Sequence, residues 1–159
     1  MATDHQMTTR TAPEIFQGLA AAAEARSISV PALASEILTQ WVLSNGLLAK
    51  DDEARLEAER ELLEWVTALV ERRHKADDWD KHVTLETFDA IKAEQAGLYA
   101  RAIKGGRKTK LNREIGALVR RGLHADVKVV GGLRCYGQPL RGAKSLVKTY
   151  TLLFRPSET

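Results

Sequence analysis

A single cysteine, Cys135, is all the thiol chemistry this chain carries, so no intrachain disulfide can form and no cysteine-based zinc cage can be built. No run of 18 or more apolar residues is present, which argues against a membrane-spanning helix. The start, Met1 to Arg10, is too polar for a secretory signal. The expected address is the cytoplasm. Catalytic patterns are equally scarce, with no nucleophile elbow and no His-based constellation. His74, Asp78 and His82 are spaced four apart with Asp77 and Asp80 nearby, but that spacing matches no established ligand motif and reads as a charged helix end. Gly105, Gly106, Arg107, Lys108 and Thr109 fall short of a phosphate loop, which needs four residues between its glycines, a Gly-Lys-Ser/Thr step and a strand before it. Glu59, Glu61 and Glu64 read as the wet face of a helix. The expectation is a protein without cofactor, metal or catalytic residues.

What the chain does have is a lopsided charge. Its 159 residues are 44% hydrophobic, enough for one domain or two small ones. Residues 1–102 hold 11 basic and 18 acidic side chains, a net of −7, whereas residues 103–159 hold 13 basic and 3 acidic, a net of +10. A focused positive field attracts polyanions far more strongly than the overall +3 implies. Nucleic acid is the expected partner. The plainer alternative is a basic surface that aids solubility or docks onto the chain's own acidic middle.

Periodicity divides the chain into three segments. Pro13 opens a helical stretch with Ile15, Leu19 and Ala22 on one face, ending near Arg26. A second helix follows Ser29, an N-cap, with Pro31 in its first turn, an apolar face of Leu33, Ile37 and Trp41, and Asn45-Gly46 as a stop. Before both lies Thr8 to Ala12, a threonine-rich stretch with strand propensity and no partner strand nearby. From Asp51 to about Lys75 a third helix carries acids at its start, bases at its end, and a stripe of Leu56, Leu63, Val66 and Val70 with Leu62 and Leu69 beside it. That stripe needs a partner, either the chain's own fold or the same helix of a second subunit. After the acidic turn Asp77 to Asp80, Thr84 or Thr87 is expected to cap a helix through Phe88, Ile91, Leu98 and Ile103, ending at Gly105-Gly106. Another helix is expected at Leu111 to Leu123. Asp126 to Val130, a Gly131-Gly132 turn, Leu133 to Tyr136 and Ser145 to Phe154 then read as a small antiparallel sheet.

The first segment, a short strand, Pro-Glu at the start of one helix and then a second helix of similar length, resembles the ribbon-helix-helix (MetJ/Arc-type) DNA-binding family over Thr8 to Asn45. The resemblance implies that two chains pair their strands into a ribbon whose outward side chains read the major groove. Thr9 and Thr11, or Thr8 and Arg10, would be those readers, depending on which face points outward. Against this, residues 1–50 carry only Arg10, Arg26 and Lys50 to balance Asp4, Glu14, Glu24 and Glu36, poor electrostatics for holding DNA. A helical hairpin that dimerises without touching DNA is the alternative. The last segment, in the order helix, turn, helix, β-hairpin, looks like a winged helix-turn-helix.

The Leu111 to Leu123 helix gives the sharpest expectation. An advance of about 100° per residue puts Leu111, Ile115, Leu118, Val119 and Gly122 on one side. Arg113, Arg120 and His124 fall opposite, flanked by Lys110 and Arg121. Guanidinium forks on such a face can pair with guanine edges or phosphate oxygens. Lys104, Arg107, Lys108 and Lys110 precede the row, while Lys128, Arg134, Arg141, Lys144 and Lys148 follow on the hairpins, where they could lie along phosphates. A solvated helix that happens to be basic is the alternative. Tyr136, Tyr150 and Phe154 could stack on bases, though Tyr150 and Phe154, sharing a strand face with Leu152, read better as core.

The resulting expectation is a mainly α chain with a small antiparallel β part: residues 1–47 a ribbon-helix-helix-like element, 48–82 a helical linker, 83–159 a basic winged-helix-like domain. The resemblance implies a homodimeric, sequence-specific DNA-binding protein with duplex DNA as partner and no membrane, acting as a bacterial transcriptional repressor or a plasmid maintenance or transfer accessory protein. The rival is a structural or interaction protein, or an antitoxin, whose helical part holds an unidentified protein while the basic end contacts RNA or an acidic surface.

Overall fold

The computed structural model describes residues 7–156, so the first six residues of the expected 1–47 segment and the last three of 83–159 lie outside the described residues. The fold is mainly helical with a small antiparallel β part. No described helix is long and apolar enough to cross a membrane. The chain divides into two units, Met1–Glu53 and Ala54–Thr159.

The first unit holds α1 (Pro13–Ala25) and α2 (Val30–Ser44). Proline at the opening position costs α1 no hydrogen bond, because the first-turn N–H groups have no partner in the helix anyway. Ser29 caps α2 as the sequence suggests, its side chain accepting from the Ala32 N–H at 3.3 Å. Asn45 ends it, and Gly46 takes the left-handed φ of 60° that turns the chain away. Thr8 to Ala12 forms no strand in the single chain. Among the described residues of this unit only Ala23 and Leu33 are buried, whereas Ile15, Phe16, Ile37, Leu38 and Trp41 stay exposed. The alternation that marks an amphipathic helix is therefore present on both elements with little covering it.

The second unit is built on α3 (Lys50–Ala76), which lies in it from Ala54 onward. Ala58, Leu62, Val66 and Val70 point into a core shared with Val83, Phe88 and Ile91 of α4 (Val83–Glu94), Tyr99 and Ala102 of α5 (Ala96–Ala102), and Leu111, Ile115 and Val119 of α6 (Lys108–Gly122). Two expectations change here. The buried stripe advances by four residues at each step and leaves Leu56, Leu63 and Leu69 only half-buried. In addition, residues 54–76 do not link domains: they supply one wall of the carboxyl-terminal core, and a unit started at residue 83 would lose Leu62, Val66 and Val70. The stripe finds its partner in its own chain, so it gives no reason for a second subunit.

The helix expected from Thr84 through Ile103 is broken at Gln95, which leaves the helical basin at φ −129°. Neither threonine caps it. Both sit inside α4 and are buried, Thr87 donating its hydroxyl to the Val83 carbonyl at 2.8 Å. A single 3₁₀ turn at Lys104–Gly106, with Gly105 and Gly106 at φ 72° and 80°, then redirects the chain into α6. At the far end of α6 the helix backbone presses on α3: a Cβ placed on Gly122 would lie 2.6 Å from Val70 Cγ1. Gly122→Ala is expected to lower the free energy of unfolding by about 1–3 kcal/mol, the range for overpacking a tight core contact. Urea titration of both proteins would measure it.

After α6 come three extended segments, 126–130, 133–137 and 150–154, that meet as a three-way corner. The first pairs antiparallel with the third at β1 (Asp126–Val127) and β6 (Leu153–Phe154). It then leaves that partner for the second at β2 (Val129–Val130) and β3 (Leu133–Arg134), across the Gly131-Gly132 turn. The second joins the third at β4 (Tyr136–Gly137) and β5 (Tyr150–Thr151). At the crossing, Lys128 N–H donates to Leu152 O (3.3 Å), Cys135 N–H to Lys128 O (2.8 Å) and Leu152 N–H to Cys135 O (3.2 Å). This closed ring satisfies three backbone donors that a flat ladder would leave out of register. The third segment begins at Tyr150, not at Ser145: residues 145–149 belong to no strand and the chain bends at 146 and 148. The crossing at Leu152 also shifts the side-chain alternation, burying Tyr150 and Leu153 and leaving Phe154 half-buried.

Candidate nucleic-acid interface

Between α6 and the three-way corner lies a groove of about 570 Å³. One wall is α6, through Thr109, Asn112, Arg113, Gly116, Ala117 and Arg120, positions that recur three and four apart and so stack on one helical face. The other wall comes from the β segments, through Arg134, Tyr136 and the threonines 149 and 151. Phe88, Val127, Val147 and Leu153 supply apolar surface between the walls.

Three of the expected site residues converge here. Arg113 and Arg120 reach the groove from α6 and Arg134 from β3, all three exposed. Among the described residues no carboxylate pairs with any of them, in contrast to Arg73 with Glu86 or Arg55 with Glu59. Three guanidiniums without a carboxylate partner among the described residues give this concavity a chemistry suited to anionic groups. Lys108, Lys110 and Arg121 are exposed on α6 outside the groove lining, and Arg107 is half-buried just before the helix. Lys128 is exposed, its Nζ 5.1 Å from the centre of the Phe154 ring. Arg141, Lys144 and Lys148 lie exposed in the loop between β4 and β5, and the Lys144 carbonyl is tied to α4 by the Lys92 ammonium. Thr9, Arg10 and Thr11 belong to the other unit, exposed and in no regular element.

His124 departs from the expected basic row. α6 ends at Gly122, and His124, at φ 50°, instead brings its ring to within 5.4 Å of His74. His82 Nδ1 lies 2.8 Å from the Tyr150 hydroxyl, and among the described residues no three His, Cys, Asp or Glu side chains are grouped to hold a metal ion. Arg155 ties down the acidic turn before α4, pairing with the Asp77 carboxylate, donating to the Trp79 carbonyl at 3.2 Å and lying 5.2 Å from the Trp79 ring centre.

The aromatics divide by position. Tyr150 is core: its ring covers Gly137, its cross-strand partner, so closely that a Cβ there would sit 2.4 Å from the ring carbon Cζ. Burial pushes the Tyr150 phenol up, with Asp80 and Asp89 adding in the same direction. Tyr99 is raised by burial and partly relieved by its 2.8 Å hydrogen bond to Asn112 Oδ1, which holds that amide at the groove wall. Tyr136 and Tyr150 both line the groove, and of the two Tyr136 is the exposed one, at 59%.

Asn112, Gly116, Thr109 and Thr84 line the groove outside the set of expected site residues. Asn112, Gly116 and Thr109 occupy α6 between its apolar and basic faces, and their spacing of three to four is a signal for them. Thr84 has no such signal. It is 3% exposed, lines the groove, and its hydroxyl has no hydrogen-bond partner among the described residues. No family model, no curated protein and no solved structure matches this chain.

Proposed function

We propose that this chain is a sequence-specific DNA-binding protein that works as a homodimer and takes its affinity from the second unit. The observation that carries the reading is the convergence of Arg113, Arg120 and Arg134, none paired with a carboxylate among the described residues, on the groove beside α6. In this reading α5, the glycine turn and α6 act as a helix-turn-helix and the β2–β3 hairpin as its wing. Arg113 and Arg120 meet base edges or the nearest phosphates. Lys108, Lys110, Arg121, Lys128, Arg141, Lys144 and Lys148 supply the surrounding positive field. The first unit is the ribbon-helix-helix-like element, its Thr9 to Thr11 stretch pairing with that of a second chain. The role of repressor or plasmid accessory protein follows from that resemblance alone.

Fluorescence anisotropy with duplex DNA, single-stranded DNA and structured RNA, each over a salt series, tests the reading. Duplex affinity is expected to fall with salt at a log–log slope of about −0.9 per phosphate contacted. Absence of binding to all three, or binding indifferent to salt, refutes it. A second reading has an observation in its favour: the exposed apolar faces of α1 and α2 could hold a different protein. Self-association of the purified chain separates the two.

A further inference from the structure

The groove beside α6 is chemically two-faced. A bare phosphate chain would use its guanidiniums and leave the half-buried apolar side chains of Val127 and Val147 facing water. A purely apolar ligand would strand the arginines. A planar heterocycle carrying a phosphate uses both, with an aromatic ring, Tyr136, standing at the wall to stack on it. The volume of about 570 Å³ lies within the roughly 300–1,000 Å³ typical of small-molecule sites and is too small for two paired strands. The unpartnered Thr84 hydroxyl is the independent sign. Buried hydroxyls are nearly always hydrogen-bonded, whereas that of Thr84, a residue of the groove lining, is closed to solvent and has no partner among the described residues. A rotation of the Thr84 side chain toward the groove would let the edge of a heterocyclic base supply that partner.

We propose that this groove seats one unpaired nucleotide of the bound nucleic acid. Its base lies against Tyr136 and those apolar side chains with its edge toward Thr84, and its phosphates meet Arg113, Arg120 and Arg134. The proposal rests on the nucleic-acid reading above and narrows it to substrates with an unpaired or extrahelical base beside a duplex. Gly116 provides a clean obstruction. It lies at the α6 wall, and a Cβ there meets nothing within 4 Å, so a larger side chain enters the groove without disturbing the core.

The test uses the full chain and two duplexes of the same sequence, one blunt and one carrying a single 2-aminopurine bulge. The wild-type chain is expected to bind the bulged duplex tighter by about tenfold or more, as loss or gain of one base–aromatic stack implies, and to change the 2-aminopurine emission. Gly116→Leu should bring the affinity ratio to about one, and Tyr136→Ala should lower it, while thermal melts confirm both variants are folded. Equal wild-type affinities with unchanged emission overturn the inference and leave the nucleic-acid reading standing. So does a Gly116→Leu variant that keeps the preference. Failure of the wild-type chain to bind either duplex overturns both.

Discussion

Replacing Arg113, Arg120 and Arg134 together by alanine is expected to weaken nucleic-acid binding by about two to six orders of magnitude, at roughly 1–3 kcal/mol for each guanidinium lost from a base edge or phosphate and 1.4 kcal/mol per tenfold. The three side chains are exposed and carry no ion pair among the described residues, so the fold should survive their removal. A circular-dichroism melt beside the binding curve checks that. The single variants then separate the two ways an arginine can act. An arginine bidentate to a guanine relaxes preference at one base position, whereas one on a phosphate weakens all sequences alike and reduces the salt slope by about one unit. Lys128→Ala and Lys144→Ala belong to the second class. Unchanged affinity of the triple variant for target and random duplexes would remove α6 from the interface and leave the interaction-protein reading in possession.

The two faces of α6 are legible in the amino-acid sequence, because a 3.6-residue period and strongly contrasting side chains leave little ambiguity in a single helix. Leu111, Ile115 and Val119 are buried and Arg113 and Arg120 are exposed as that period requires. What faces those arginines is not legible there. Arg134 arrives opposite them through a β corner whose third segment starts at Tyr150, and pairings between residues such as 127 and 153 leave no local trace in sequence. The kink at Gln95 is hidden for a different reason. The Gln95 N–H still bonds to the Ile91 carbonyl at 2.8 Å and the Tyr99 N–H to the Gln95 carbonyl at 2.9 Å, so the apolar spacing reads through the break as if the helix were whole. For α3 the stripe is visible but its destination is not, since an apolar face specifies burial without naming what buries it. Thr84 inverts the usual cue: a threonine after a charged turn suggests a cap, yet here it is a buried hydroxyl at the groove.

Phe16→Asp together with Trp41→Asp is expected to turn a dimer into a monomer. The first unit has α1 of 13 residues and α2 of 15, and only Ala23 and Leu33 among its described side chains are buried. Two small contacts cannot offset the entropy of ordering two helices, which runs at about 1–2 kcal/mol per residue for the backbone alone. Phe16 at 53% exposure and Trp41 at 57%, with Ile15, Ile37 and Leu38 beside them, mark the surface that a second copy would cover. A two-fold pair brings each face against its equivalent and gives the two Thr8 to Ala12 stretches partners for each other. Covering a large apolar side chain is worth about 1.5–3 kcal/mol, so losing two, with charge added in their place, should raise the dissociation constant by at least about two orders of magnitude at 1.4 kcal/mol per tenfold. Sedimentation equilibrium of wild type and variant measures the difference. Since α3 finds its partners within its own unit, association should depend on α1 and α2 alone, and reversing the charge at exposed Glu57 or Glu64 on α3 should leave it unchanged. A wild-type chain that stays monomeric at tens of micromolar, an order-of-magnitude limit for weak pairing, would hand those apolar faces to a different protein.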